Sequence, residues 1–260
     1  MLWRRQFKAL TVDVMFRLYK AWHSVIFNLR KGYYDPSTEE VSLMTEHPLA
    51  FNSPDHLQPW GTANDNSTNR RFVMYMDGYI WGRRPTNSDG PYRMLDLGCA
   101  GGQLVKDFKD MGWTAVGLEG SDYSLKKGRA NWPALGNKNL FTCDITRPFR
   151  LFVDVNPARF DLITAWEVLE HIHPYDVKWV LENIYEHLKP GGLFIASTTN
   201  ASDVHDGVEL HQSWFTNEQW RNMIEKFCPE LRPIELGLQY YEYVRFNYKE
   251  RSFLTYQRKV

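Results

Sequence analysis

The sequence predicts an α/β fold built around a doubly wound, mostly parallel β-sheet. From residue 92 onward, apolar strand patterns alternate with helical patterns, which is typical of a parallel sheet covered by helices. In the first unit, Leu95–Gln103, an apolar strand runs into a turn of small residues and then into a helix. Such a turn brings bare backbone close to a ligand and directs unpaired N–H groups at it. We therefore expect a nucleotide-like cofactor there.

Hydrophobic periodicity predicts each element in turn. Strand patterns lie at Arg93–Leu97, Thr114–Leu118, Asn139–Cys143, Phe160–Trp166 and Gly192–Ser197, and aromatic strand patterns follow at Ile234–Tyr243 and Ser252–Gln257. Helical patterns lie at residues 69–81, Gly102–Met111, Tyr123–Asn131, Tyr175–Leu188 and Thr216–Phe227. This order predicts a Rossmann-like domain over residues 92–260, with an antiparallel last strand.

Residues 1–91 are expected to form an N-terminal extension of helices and loops that caps the site of the second substrate. Residues 1–31 hold seven Lys or Arg and one Asp, a net charge of +6 in a chain that is neutral overall. Apolar residues recur there at helical spacing: Trp3, Phe7, Leu10, Val14, Leu18, Trp22, Val25 and Leu29. Two interpretations stay open. The helix packs on the protein's own body, or it lies on a membrane surface or a partner.

The composition is that of a soluble, cytoplasmic protein. The three cysteines cannot form a disulfide framework, and no apolar run approaches the roughly 20 residues of a membrane span. The zero net charge gives no general attraction to DNA. The sequence does not predict an oligomeric state.

Two common cofactor signatures do not fit the turn that begins at Gly98. A dinucleotide fingerprint needs glycine at the third and sixth positions, where this chain has Ala100 and Gln103. A phosphate-binding P-loop ends in Gly-Lys-Ser/Thr, which this turn lacks. The turn therefore argues against both NAD and ATP.

Five segments resemble, in order, the motifs of class I S-adenosylmethionine-dependent methyltransferases. They are Leu95–Gly102, Val116–Asp122, Phe141–Ile145, Phe160–Ile172 and Leu188–Ile195. Each segment alone is a weak signal, but the five together occur at the expected spacing across residues 92–200. The resemblance implies an enzyme that uses S-adenosyl-L-methionine.

The resemblance also implies which residues hold this cofactor. Asp96 anchors the ammonium group, directly or through water, and Glu119 accepts hydrogen bonds from the ribose hydroxyls. Asp144 accepts from the adenine amine, and Ile145 packs on the ring. The other implied contacts are Gly98, Cys99, Ala100, Gly101, Gly102, Gly120 and Trp166. Ala100 departs from the usual glycine, and its methyl group narrows the space beside the methionine part.

The segment Glu167-Val168-Leu169-Glu170-His171 carries a second set of polar groups. A helical turn would place Glu167, Glu170 and His171 on one face, because they are spaced at i, i+3 and i+4. With His211 from a later loop, they could bind a divalent cation such as Mg²⁺ that orients an acceptor hydroxyl. In the alternative without a metal, His171 or His211 acts as general base, and Glu167 belongs to the same catalytic set.

Polar loops and tryptophans point to a hydroxylated small molecule or a saccharide as the methyl acceptor. The expected acceptor contacts are Trp60, Asp65, Asn66, His205 and Trp214. The sequence thus predicts an O-methyltransferase. Three alternatives stay open: an RNA-terminal ribose methyltransferase, a membrane-associated methyltransferase of lipid precursors, and a binding protein that keeps the fold without turnover.

Overall fold

The computed structural model describes residues 18, 21–31, 35–57, 59, 64–81, 90–236 and 251–260. In chain order its helices and strands are α1 (residues 21–30), β1 (Val41–Thr45), α2 (Pro54–Leu57), α3 (Arg70–Trp81), β2 (Arg93–Leu97), α4 (Gln103–Lys109), β3 (Thr114–Glu119), α5 (Tyr123–Lys126), α6 (Trp132–Leu135), β4 (Leu140–Thr142), β5 (Phe149–Val153), β6 (Asn156–Pro157), β7 (Phe160–Trp166), α7 (Val177–His187), β8 (Leu188–Thr199), β9 (Val204–His205), β10 (Val208–Glu209), α8 (Asn217–Phe227), β11 (Leu231–Pro233) and β12 (Arg251–Arg258). A single 3-10 turn, Leu169–His171, follows β7.

The central sheet has seven strands in the order β11-β12-β8-β7-β2-β3-β4. The five strands from β8 to β4 are parallel, whereas β12 runs antiparallel to both β8 and β11. The chain proceeds outward from β2 to β4 and then returns to β7 on the other side of β2. This reversal opens a crevice at the carboxyl ends of β2 and β7. The predicted mostly parallel sheet with an antiparallel last strand is confirmed.

Alternating residues of each strand send side chains to two separate cores, because successive side chains of a strand point to opposite faces. Leu95 of β2 packs in a core with residues of α7 and α8, including the fully buried Trp220. Met94, its neighbour, packs in the other core with residues of α3 and α4, including the fully buried Phe108. Helices therefore cover both faces, as a doubly wound sheet requires.

A small antiparallel sheet connects the N-terminal extension to the domain. Strand β1 pairs with β5 from Val41 opposite Val153 to Thr45 opposite Phe149, and β6 completes this sheet. Beyond β1, the His47 carbonyl accepts from the Asp144 amide at 2.8 Å, and the Ala50 amide donates to the Gly120 carbonyl at 2.9 Å. These bonds hold residues 46–57 along the carboxyl edge of the central sheet, where the small-residue turn after β2 lies.

Two predicted elements differ from the structure. The helix predicted over Tyr123–Asn131 is wrong in length, since α5 ends at Lys126, and Gly128 and Ala130 have positive φ angles of 58° and 49° that a right-handed helix cannot contain. Of the strand predicted at Ile234–Tyr243, residues 234–236 follow the end of β11 and are not in a strand, and the remaining residues lie outside the described part of the chain.

Within the described segments, no helix is both long and apolar enough to cross a bilayer.

Candidate active site

A cavity of about 1100 Å³ lies at the carboxyl ends of the parallel strands, in the crevice between β2 and β7. Its lining includes most of the residues that the sequence singles out: Asp65, Asn66, Asp96, Gly98, Cys99, Ala100, Glu119, Gly120, Asp144, Ile145, Trp166, Glu167, Glu170, His171 and His211. Pockets for drug-sized ligands occupy roughly 300–1000 Å³, so this cavity is large enough for a cofactor and a second substrate together.

The small-residue turn after β2 is fixed to the end of β3. The amides of Gly98 and Cys99 donate to the Leu118 carbonyl at 2.8 and 3.0 Å, and the Ala100 amide donates to Glu119 Oε2 at 2.8 Å. Gly98 has a φ of 68°, and a Cβ atom there would overlap the Val168 side chain. Ala100 has a φ of 45°, a left-handed conformation that costs an alanine about 1–2 kcal/mol. The hydrogen bonds hold the turn in this strained shape.

Gly101 and Gly102 contribute structure to this turn and do not line the cavity. The Gly101 amide donates to the Asp65 carbonyl at 3.1 Å, and a Cβ atom on Gly101 would overlap the Asn66 amide group. Gly102 precedes α4 with a φ of 78°, and a Cβ atom there would lie 2.5 Å from Leu140 Cδ1. Their place among the cofactor contacts therefore stays a prediction, which would have to be met by their backbone atoms.

Asp65 and Asn66 lie at the glycine-rich turn, although the sequence analysis placed them among the acceptor contacts. Besides the bond between the Gly101 amide and the Asp65 carbonyl, the Asn131 side-chain amide donates to Asn66 Oδ1 at 3.4 Å and to the Gly101 carbonyl at 3.3 Å. Residues 64–69 thus pack against the glycine-rich turn. Trp60, another predicted acceptor contact, lies outside the described residues.

Three carboxylates lie at the carboxyl ends of three adjacent strands. Asp96 is the penultimate residue of β2 and is 4% exposed, and its Oδ1 accepts from Thr164 Oγ1 at 2.6 Å. Burial raises the pKa of Asp96 to about 7; the Thr164 hydrogen bond opposes this rise, and the negative charges of Asp65 and Glu119 add to it. A cationic ligand group would stabilise the charged form of a carboxyl group with this pKa, so the site favours binding of such a group.

Glu119 and Asp144 each have part of their carboxylate fixed by backbone amides. Glu119 accepts from Ala100 through Oε2 and from the Ser121 amide through Oε1 at 3.2 Å. Asp144 Oδ1 accepts from the amide and the hydroxyl of Thr146 at 2.9 and 2.6 Å. Both side chains are more than nine-tenths buried, yet both line the cavity. They are thereby oriented as hydrogen-bond acceptors at the ends of β3 and β4.

The segment after β7 does not form the helical turn that the spacing of its residues predicts. Glu167 has a φ of 54°, and only Leu169–His171 form a 3-10 turn. The Glu167 amide donates to the Ser197 carbonyl at 3.0 Å, and the Ser197 hydroxyl donates to Glu167 Oε1 at 2.6 Å. Glu167 is therefore anchored to β8, apart from the group formed by Glu170, His171 and His211.

His171 forms an ion pair with an acidic residue of the N-terminal extension. Its Nδ1 lies 2.8 Å from Asp55 Oδ2, and Asp55 belongs to α2. Burial lowers the pKa of His171, but the Asp55 hydrogen bond and charge, together with the charge of Glu170, raise it to about 9. Because Nδ1 faces the Asp55 carboxylate, Nε2 is the nitrogen that can exchange a proton with another molecule.

Glu170 and His211 complete this cluster. One ligand atom each from Glu170, His171 and His211 lies within 4.8 Å of the others. Glu170 is completely buried, which raises its pKa, and the charge of Glu167 raises it further. Within the described part of the chain, its Oε2 has no hydrogen-bond partner. His211 Nδ1 lies 2.6 Å from the Ala201 carbonyl, which only accepts, so Nδ1 carries the proton and Nε2 has the free lone pair.

His205 and Trp214 are not part of the cavity wall. His205 lies in the β9–β10 hairpin, where its Nε2 is 3.1 Å from Asp203 Oδ1. Trp214 is 50% exposed, whereas the preceding Ser213 is buried and its hydroxyl donates to the Ile172 carbonyl at 2.6 Å. The structure therefore gives no support to an acceptor contact at either residue.

Asp55 is a site residue that the sequence does not predict. It lies within a polar stretch of the sequence, residues 52–66, and its amide donates to Ser53 Oγ at 3.3 Å. An acidic residue in a polar stretch is only a weak indication of a role in the site. No local pattern pairs it with His171, since the contact depends on residues 46–57 crossing the edge of the sheet.

Comparison with known proteins assigns the chain to a family. The sequence profile described as "Methyltransferase domain" matches residues 66–236, more than half of the chain. The chain belongs to this family, which confirms the resemblance to class I methyltransferases.

One curated relative is the ubiquinone biosynthesis O-methyltransferase of Idiomarina loihiensis, 32% identical over 116 residues. The match covers 44% of this chain and 46% of that protein, so the similarity spans somewhat under half of either length.

Solved structures share the fold. The CcbJ methyltransferase from Streptomyces caelestis aligns with a TM-score of 0.54 and 14% identity, over 82% of this chain and 99% of that one. The 1,6-didemethyltoxoflavin-N1-methyltransferase of Burkholderia thailandensis, solved with S-adenosylhomocysteine, aligns with a TM-score of 0.52 and 16% identity, over 79% of this chain and 84% of that one.

Proposed function

We propose that this protein transfers a methyl group from S-adenosyl-L-methionine to an oxygen atom of a hydroxylated small molecule or saccharide. One observation carries the proposal: a single cavity contains both the glycine-rich turn with its three carboxylates and the Asp55–His171 pair. Membership of the methyltransferase-domain family and the O-methyltransferase name of the curated relative support it.

The cofactor occupies the half of the cavity at β2, β3 and β4. Gly98 and Ala100 present bare backbone to its methionine part, and Asp96 takes the ammonium group. Glu119, whose carboxylate the Ala100 and Ser121 amides orient, accepts from the ribose hydroxyls. Asp144 accepts from the adenine amine, and Ile145, 6% exposed, packs on the ring. Cys99, Gly120 and Trp166 complete the wall.

The affinity for S-adenosyl-L-methionine is expected to increase with pH because of Asp96. The pKa of Asp96 is about 7 in the free protein, so its carboxyl group is mostly neutral in mild acid and cannot attract the cofactor's ammonium group. Well below this pKa, the affinity should rise about tenfold per pH unit, and the rise should level off above about pH 7. Calorimetric titrations between about pH 5.5 and 7.5 measure this, below the value near 8 where an α-amino group loses its proton.

The Asp96→Asn variant is the control for this pH dependence. It keeps the shape of the side chain but has no proton to lose, so its affinity should be weaker at pH 7.5 and nearly independent of pH. A wild-type affinity that stays constant across the range would contradict the role of Asp96.

The acceptor occupies the half of the cavity beside His171. Methyl transfer requires the acceptor oxygen in line with the sulfonium group and the removal of its proton. With Nδ1 held by Asp55, neutral His171 takes that proton at Nε2. His211, whose ring meets that of His171 edge-on at 4.6 Å, is the second base candidate. Glu167 lines the same cavity and provides a further hydrogen-bond acceptor.

The cluster of Glu170, His171 and His211 has a second interpretation, as a binding site for a divalent cation. The buried Glu170 Oε2 without a partner and the short distances among Glu170, His171 and His211 fit a bound metal ion. Two imidazoles and one carboxylate suit a first-row transition metal better than Mg²⁺, which prefers oxygen ligands. Such an ion, when bound, would lower the pKa of an acceptor hydroxyl. The predicted fourth ligand, Glu167, is held by Ser197.

Transfer of labelled methyl groups tests the proposed function. Purified protein with labelled S-adenosyl-L-methionine is given small phenols, catechols, saccharides and short RNA ends as acceptors, with and without exhaustive chelation. We expect label in a hydroxylated small molecule, with activity retained after chelation if His171 alone removes the proton. Loss of activity that a transition metal restores would favour the cation. Label in RNA, or cofactor binding without transfer to any fraction of a cell extract, would contradict the proposal.

A further inference from the structure

Helix α1 is attached to the domain by one of its faces. Phe27 is completely buried, with the guanidinium group of Arg70 5.1 Å from the centre of its ring. Arg30 Nη2 lies 3.2 Å from Oδ2 of the buried Asp77, which also accepts from Trp113 Nε1 at 2.9 Å. These contacts fix the helix against α3 and the core, so its opposite face has a defined orientation on the surface.

That opposite face is apolar and exposed. Leu18, Trp22, Val25 and Leu29 are each between 51% and 66% exposed and recur at helical spacing, so they form one stripe. Among the described residues of the helix, the other fully exposed positions between them are Ala21 and Asn28, neither of which is charged. Solvent-facing helix surfaces normally carry charges, and a continuous apolar stripe indicates an interaction surface.

In the sequence, the spacing of this stripe continues upstream, and the same segment is rich in positive charge. Upstream of Leu18, the same spacing continues through Val14, Leu10, Phe7 and Trp3. Residues 1–31 carry a net charge of +6, against −6 for the rest of the chain. A second copy docked face to face would bring two +6 segments together, which like-charge repulsion opposes. An anionic surface with an apolar interior matches both the charge and the stripe.

We propose that the stripe formed by Leu18, Trp22, Val25 and Leu29 docks this protein on the surface of an anionic lipid bilayer. The apolar side chains enter the boundary between headgroups and acyl chains, and the Lys and Arg residues of the N-terminal segment contact the phosphates. This inference does not depend on the methyl-transfer proposal, because none of its residues lines the catalytic cavity.

Vesicle sedimentation with the full chain tests the proposal. We expect binding to vesicles that contain phosphatidylglycerol, little binding to pure phosphatidylcholine, and weaker binding when salt shortens the range of the charges. The Trp22→Glu and Leu29→Glu variants should each lower the partition coefficient about tenfold or more, since each places a charge in the apolar stripe. Both positions are exposed, so neither variant should change thermal stability.

The Val155→Glu variant is the matched control. It makes the same change from an apolar to an acidic side chain at a residue that is 91% exposed and lies in the turn between β5 and β6. It should bind vesicles like the wild type. Equal binding of Trp22→Glu and wild-type protein, or no binding to anionic vesicles at low salt, would overturn the proposal. So would a stable dimer that Trp22→Glu converts to a monomer, because the stripe would then be occupied by a second copy.

Discussion

The Gly98→Ala variant is expected to bind S-adenosyl-L-methionine roughly a hundredfold more weakly than the wild type, a loss of about 3 kcal/mol. Gly98 has a φ of 68°, which disfavours any other residue, and a Cβ atom at this position would overlap the Val168 side chain. The added methyl group must push the turn away from Val168 and so disturb the hydrogen bonds from Gly98, Cys99 and Ala100 to the end of β3. Isothermal titration calorimetry measures the affinity directly.

Two further variants separate the causes of this loss. Gly207→Ala places alanine at a similar φ of 79°, but with no atom within 4 Å of the new Cβ, so it tests backbone strain alone. It should bind the cofactor like the wild type. In the Gly98→Ala background, Val168→Ala removes the overlapping atoms. The double variant should therefore bind the cofactor about tenfold more tightly than Gly98→Ala alone. An affinity of Gly98→Ala within about threefold of the wild type would refute the placement of the methionine part at this turn.

The His171→Gln variant is expected to lower kcat by about 10²- to 10⁴-fold, the usual contribution of a general base. Its affinity for S-adenosyl-L-methionine should change little, because the residues of the cofactor half are untouched. Turnover with the acceptor found in the labelling experiment and calorimetry with the cofactor measure the two effects separately. His205→Gln is the control, since His205 lies outside the cavity. A kcat of His171→Gln close to that of the wild type would exclude His171 as the base.

The pH profile distinguishes this chemical role from a structural one. A base acts only when it is neutral, and the pKa of His171 is about 9, so kcat/KM of the metal-free enzyme should rise with pH toward that value. Asp55→Asn removes the charge that raises the pKa of His171. The rising limb of its profile should therefore move to lower pH, while its maximum rate falls because the ring is less well oriented. An unshifted limb would show that another group titrates.

The sequence by itself determined the sheet, the small-residue turn and the position of three carboxylates at the strand ends. These features depend on local patterns: apolar strands alternating with helices, a small-residue turn at Gly98, and acidic residues at strand ends. Once the strands are parallel, their carboxyl ends must meet at one edge. Asp96, Glu119 and Asp144 therefore share a cavity although they lie on separate strands.

The tertiary structure decided everything that depends on contacts between distant segments. The pairing of β1 with β5 carries Asp55 to His171, and the bond to Ser197 holds Glu167 in a left-handed conformation away from Glu170. Trp214, an expected acceptor contact, lies exposed outside the cavity. Periodicity showed that α1 has an apolar stripe. Only the packing of Phe27 against the domain showed that this stripe faces solvent. A local sequence pattern indicates which residues share a helix face, but it does not indicate what packs against that face.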